Sequence, residues 1–182
     1  PKGVLNIVHG LGSKIGDSLT THPDTPIVSF TGGTVTGKHI ATVTAPMFKK
    51  VSLELGGKNP NIIFSDADFE KAVSMAARAA FTNQGQICLC GSRLFIQEEI
   101  YDKFKDALVV KTAKLKVGDP KDPSSNLGAI VSKEHTQKIL ANIELAKELG
   151  GNILIGGKRK ILEGELKDGY YIQPTIIEGL SS

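Results

Sequence analysis

Short apolar runs alternate with stretches of helical spacing through residues 1–55, and this alternation limits the possible fold more than any other feature. Val4-Leu5-Asn6-Ile7-Val8 reads as a buried strand ending at His9-Gly10-Leu11-Gly12, and Ser13 to His22 as a helix with Ile15 and Leu19 one turn apart. Pro26 to Phe30 is a second apolar run, broken by Thr31-Gly32-Gly33-Thr34. A helix is predicted from Val35 to Thr44, stopped by Pro46, and Val51 to Leu55 is a third strand closed by Gly56-Gly57. Parallel neighbours need a long crossover, usually a helix, so strands and helices taken in turn indicate a parallel sheet. The fold class is α/β.

The same reading continues downstream. Ile62 to Phe64 is strand-like, and Asp66 and Asp68 supply cap and first-turn carboxylates for an Ala-rich helix from Phe69 to Thr82. Asn83-Gln84-Gly85 is a C-terminal stop. Leu94 to Ile96 is a further strand, Ile100 to Lys116 a helix, Gly118 to Ser125 a loop, and Lys133 to Leu149 a helix ending at Gly150-Gly151. Asn152 to Ile155 and Tyr170 to Ile177 read as strands, separated by a polar, mobile insertion around Lys158 to Asp168.

Composition narrows the function classes. The net charge is +3 over 182 residues, Trp is absent, and no basic run exceeds Lys158-Arg159-Lys160. A nucleic-acid surface would want a larger positive field and aromatic stacking platforms. No stretch approaches the roughly 18 apolar residues of a membrane helix, and the N-terminus has no signal pattern. Two cysteines are too few for a disulfide framework, so a reducing compartment, the cytoplasm, is expected. The chain opens on Pro1 without an initiator Met, as a piece of a longer protein would.

Three places carry candidate chemistry. Thr31-Gly32-Gly33-Thr34-Val35-Thr36-Gly37 lies between a strand and a helix, where backbone N–H groups and a positive helix end can face a pyrophosphate. Its spacing is not the G-x-G-x-x-G dinucleotide fingerprint; an ordinary βα turn and a phosphate-binding turn both fit. Glu54 alternates with Leu53 and Leu55, which turns its carboxylate away from their face toward water, a partner or a cleft. Cys88 and Cys90 are the third feature. No four-ligand zinc spacing accompanies them, since the histidines are scattered at 9, 22, 39 and 135. A disulfide between them would close a strained ring. Both could be inert, packed thiols, or a kinked loop after a helix could turn one thiol to a cleft and pack the other as a small hydrophobe. The preceding helix offers its negative end, so a reactive thiolate would need a base or a cationic cofactor ring to support it.

Leu53-Glu54-Leu55-Gly56-Gly57-Lys58-Asn59-Pro60 and Asn83-Gln84-Gly85-Gln86-Ile87-Cys88 resemble the two signature segments of the NAD(P)-dependent aldehyde dehydrogenases. Their separation also agrees, and Phe30-Thr31-Gly32-Gly33-Thr34 is similar to that family's cofactor turn in its expected place. The resemblance covers essentially the whole chain. It implies Cys88 as nucleophile and Glu54 as general base: thiolate attack to a thiohemiacetal, hydride transfer to the nicotinamide, and hydrolysis of the thioester by a water that Glu54 activates. It also implies cofactor contacts from Gly32, Gly33, Gly37, Leu55 and Gly56, with NAD as cofactor or NADP in its place, and no metal. Gly33 stands where the family often carries Ser, so backbone N–H groups would have to replace a hydroxyl. Cys90 falls outside the nucleophile position and is read as a packing residue. The Ile87-Cys88-Leu89-Cys90 run is most similar to the family branch that oxidises muconic semialdehydes.

The family's upstream Asn of the oxyanion hole, its upstream Lys and Glu for the adenosine ribose, and its downstream Glu-Ile-Phe-Gly-Pro-type segment do not occur here. The resemblance therefore implies an internal fragment: residues 1–55 ending a Rossmann-like NAD(P)-binding domain, residues 56–182 beginning an α/β catalytic domain. Such a fragment is expected to be inactive alone, and the full-length protein to be a homodimer or homotetramer acting on a small aldehyde, with no nucleic-acid or membrane partner. Two other readings are a non-enzymatic relative that keeps the fold, and a CoA-acylating dehydrogenase. Retention of Glu54 with Cys88 speaks for the hydrolytic enzyme.

Overall fold

The structure, a computed structural model, describes residues 1–180. The chain divides into two compact units, Pro1–Gly57 and the stretch from Lys58 onward.

The first unit contains α1 (Gly12–Thr20), β1 (Ile27–Gly32), α2 (Thr34–Thr44) and β2 (Lys50–Leu55). β1 and β2 pair in parallel, from Ile27 opposite Lys50 to Gly32 opposite Leu55, with α2 as the crossover. Pro46 lies in a short 3-10 turn, Ala45–Met47, and Phe48 at φ 53° completes the reversal into β2. α2 turns Gly37, Ile40 and Thr44 inward, and the Thr44 hydroxyl donates to the Ile40 carbonyl at 2.7 Å. A Cβ on Gly37 would stand 2.6 Å from Leu55 Cδ2. Glycine at this position lets α2 lie against the end of β2.

The strand expected at Val4 to Val8 does not form. Val4, Leu5, Ile7 and Val8 are exposed, and no described strand pairs with them. Apolar content marks a segment suited to a sheet, but an extended chain without a ladder partner leaves its N–H and C=O groups to water.

The second unit begins with β3 (Pro60–Ile63), α3 (Phe69–Phe81), β4 (Arg93–Ile96) and α4 (Tyr101–Ala113). β3 and β4 are parallel, Pro60 opposite Arg93 and Ile63 opposite Ile96. Ile63, Val73, Ala76, Ala77, Phe104 and Leu108 form the core, and Phe104 is fully buried. The small Ala side chains of α3 allow its close approach, while Phe69 meets Phe104 edge-to-face with centroids 5.8 Å apart. Asp68 caps α3 by accepting the Lys71 N–H at 3.2 Å.

Next come α5 (Lys133–Glu148), β5 (Asn152–Ile155), β6 (Arg159–Lys160), β7 (Tyr171–Ile172) and β8 (Ile176–Glu178). Ser132 caps α5, accepting the His135 N–H at 3.1 Å. β5 pairs antiparallel with β8, and β6 with β7. One expectation changes here. Tyr170 to Ile177 is not one strand: Pro174, which has no N–H to donate, lies between β7 and β8, and the two pair with different partners. The polar insertion at Lys158 to Asp168 holds β6 and a 3-10 turn at Gly164–Leu166. Arg159 Nη2 also donates to the Gly169 carbonyl at 3.1 Å, closing this excursion on itself.

Candidate active site

In the first unit the candidate residues gather at the carboxyl ends of β1 and β2. Thr31 lies opposite Glu54 and Gly32 opposite Leu55, and the Gly56 N–H donates to the Gly32 carbonyl at 3.3 Å. Leu53 and Leu55 are half-buried and Glu54 is exposed, as strand alternation requires. This end of an open α/β sheet is where ligands collect.

Gly33 is the N-cap of α2, extended at φ −77° and ψ 148°, and no side chain caps that helix. The Gly37 N–H closes the first helical bond to the Gly33 carbonyl at 3.0 Å. No atom lies within 4 Å of the position a Gly33 Cβ would occupy, whereas a Cβ on Gly32 would collide with the Phe30 ring. The end of this 11-residue helix carries no side-chain cap and is open at Gly33, so its N–H donors and positive potential face outward, as an anion site would need. Gly37 has a second use, since it is buried against Leu55.

The second unit carries Cys88. α3 stops in three consecutive residues of positive φ: Asn83 at 51°, Gln84 at 57° and Gly85 at 71°. For a residue with a Cβ this conformation costs about 1–2 kcal/mol, so surrounding contacts must hold it. Gln86 supplies two, with its N–H donating to the Asn83 carbonyl at 2.9 Å and its Oε1 accepting the Val131 N–H at 3.1 Å. The Gly91 N–H donates to the Ala79 carbonyl at 3.1 Å, tying the far side of the loop back to α3. Asn59 Nδ2 donates to the carbonyls of Cys88, at 2.6 Å, and Cys90, at 3.2 Å. Arg93 holds the Asn59 end: its N–H reaches the Asn59 carbonyl at 3.2 Å and its Nε the Lys58 carbonyl at 2.9 Å.

The loop treats its two cysteines differently. Both are free thiols, Cys88 exposed and Cys90 buried at 7% exposure. A groove of about 520 Å³ is lined by Asn59, Asn61, Met75, Ala79, Leu89 and Gly91 among others, and neither cysteine is part of its wall. Cys88 belongs to the second unit and Glu54, with the glycine turn, to the first. Among the described residues no cluster of three or more His, Cys, Asp or Glu side chains could hold a metal, and no helix is long and apolar enough to cross a membrane.

Asn59 and Gln86 were not singled out by the sequence. Both lie inside the signature-like segments, but their partners are distant along the chain, and no local pattern marks a side chain bonding a backbone 29 or 45 positions away.

The first unit thus has a parallel β-α-β arrangement with a glycine turn after its first strand, and the second a free thiol on a loop pinned after a helix, within an α/β fold. The sequence profile of the aldehyde dehydrogenase family matches residues 1–182, and the chain belongs to that family. It is 48% identical over 182 residues to 2-aminomuconic semialdehyde dehydrogenase of Danio rerio, covering 99% of this chain and 37% of that protein. It is 42% identical over 182 residues to betaine aldehyde dehydrogenase of Bacillus subtilis (strain 168), covering 100% of this chain and 37% of the relative. Among solved structures, betaine aldehyde dehydrogenase from Staphylococcus aureus in complex with NAD+ superposes with a TM-score of 0.88 at 45% identity, over 92% of this chain and 33% of that one. The chain thus spans little more than a third of the length of the relatives it matches.

Proposed function

We propose that the protein containing this chain oxidises an aldehyde to a carboxylic acid, with Cys88 as nucleophile and Glu54 as general base. The observation that carries this reading is the Cys88 loop: a free, exposed thiol on a turn held by bonds from Asn59, Gln86 and Gly91, beside a second cysteine that is buried. The Cys88 thiolate adds to the aldehyde carbon, forming a C–S bond. Once that carbon has lost its hydride, it remains on Cys88 as a thioester. Glu54 takes a proton from the water that attacks the thioester, the C–S bond breaks, and the acid leaves with the thiolate restored. Covalent attachment divides one difficult oxidation into two easier steps.

A nicotinamide dinucleotide, NAD or NADP in its place, supplies the hydride acceptor when bound. Gly32 and Gly33 would admit its pyrophosphate to the uncapped end of α2, with Gly37 setting the approach of the helix, and Leu55 and Gly56 would lie toward the nicotinamide. Muconic semialdehydes are the substrate class we favour, supported by 45–48% identity to 2-aminomuconic semialdehyde dehydrogenases.

The test is Glu54→Gln in the intact enzyme, supplied with aldehyde and NAD+. Reduced cofactor should form in a single burst while the acyl group accumulates on the Cys88 peptide, seen by mass. Unchanged steady turnover without an adduct would remove Glu54 from the mechanism.

A further inference from the structure

We infer that Asn59 is a positioning residue for Cys88, a reading that rests on Cys88 being the nucleophile proposed above. The amide of Asn59 is the one side chain described as bonding the backbone on both sides of Leu89, at the carbonyls of Cys88 and Cys90. One NH₂ group offers two hydrogens, and both are used. Drawing two carbonyls two positions apart onto a single amide sets how the intervening backbone turns. That turn is what places neighbouring thiols in opposite environments, Cys90 inside and Cys88 outside.

Asn59 can serve as an anchor because it is itself held. Its carbonyl takes the Arg93 N–H at 3.2 Å, and Pro60 follows it as the first residue of β3. A side chain rooted in a strand end is a stiffer reference than any residue of the loop. Arg93 reinforces the same end through the Lys58 carbonyl. The donor-only character of the contact is specific: an isosteric carboxylate would present oxygen to two carbonyl oxygens, and Ser could satisfy one of them at most.

The experiment compares Asn59→Ala, Asn59→Ser and Asn59→Asp with the parent in the intact enzyme. Two readouts are taken: alkylation of each cysteine by iodoacetamide, resolved by peptide mass, and steady-state kinetics. The parent should label at Cys88 and spare Cys90. Asn59→Asp and Asn59→Ala should lose this selectivity, with Cys90 labelling rising and kcat falling about 10–100-fold, the scale for a nucleophile misplaced by about an ångström. KM for NAD+ should stay within about twofold, and Asn59→Ser should fall between parent and Asn59→Ala. A folded Asn59→Ala that keeps the parental labelling ratio and kcat overturns the inference. So does a parallel loss of kcat and NAD+ affinity, which marks general damage. Cys88→Ser separates the two readings: if it retains turnover, the nucleophile assignment fails, while the labelling ratio still reports on Asn59.

Discussion

A thiol reacts as its thiolate and only where a reagent reaches it. Cys88 is exposed and Cys90 is 7% exposed, so substitution should separate them sharply. Cys88→Ser should abolish aldehyde oxidation in the intact enzyme. Cys90→Ser should keep most of the turnover but lose about 1–3 kcal/mol of stability, because a hydroxyl desolvates at greater cost than a thiol. Rates and denaturation midpoints of the two variants check this, and equal losses of activity would refute the division of roles. At this scale the sequence was half legible. Local chemistry treated the cysteines as equivalent, and only the pairing of their segment with Leu53 to Pro60 distinguished Cys88. Asn59 stayed hidden because its bond joins positions 29 apart.

Elements were legible where their signals are local. α3 begins and ends where Asp68 and Asn83-Gln84-Gly85 indicate, since a cap and a left-handed stop each act over three or four residues. Val4 to Val8 was misread because a strand depends on a neighbour that its own residues do not specify, and the Tyr170 to Ile177 run because pairing changes partner across Pro174. The two ends of α3 should also respond differently to substitution. Asp68→Ala removes the cap and should cost about 1 kcal/mol with little effect on turnover. Gly85→Ala places a Cβ at φ +71° and 3.2 Å from the Ala80 carbonyl oxygen, which should cost about 1–2 kcal/mol. It should also slow turnover, because the strain lies in the Cys88 loop. Chemical denaturation with kcat for both variants is the check; matched activities would mean that the turn does not position the thiol.

Taken whole, the chain has two buried clusters in its second unit, whereas inside the first only Gly37, Ile40 and Thr44 are buried. The second unit is also tied by a polar junction. Tyr101 on α4 donates to Glu178 Oε2 at 2.9 Å, Asn152 on β5 donates to Oε1 at 3.2 Å, and Lys105 Nζ lies 3.3 Å from Oε2. The Tyr101 hydrogen bond foremost, then Asn152 and Lys105, hold the Glu178 carboxyl below its ordinary 4.5. A depressed carboxylate contributes stability that is full above 4.5 and is lost as pH falls through the lower, folded value. Glu178→Gln should therefore melt below the parent at neutral pH, with the gap closing in acid; a gap independent of pH would deny the junction this role.

Every described sheet has two strands, so each described strand keeps one flank of unpaired N–H and C=O groups. β1 and β3 carry no charged residue, and Ile27, Ile62 and Phe95 stand exposed on or beside such flanks. An uncharged open edge is a template on which another extended chain can add itself. A net charge of +3 over 182 residues adds little repulsion to guard such edges.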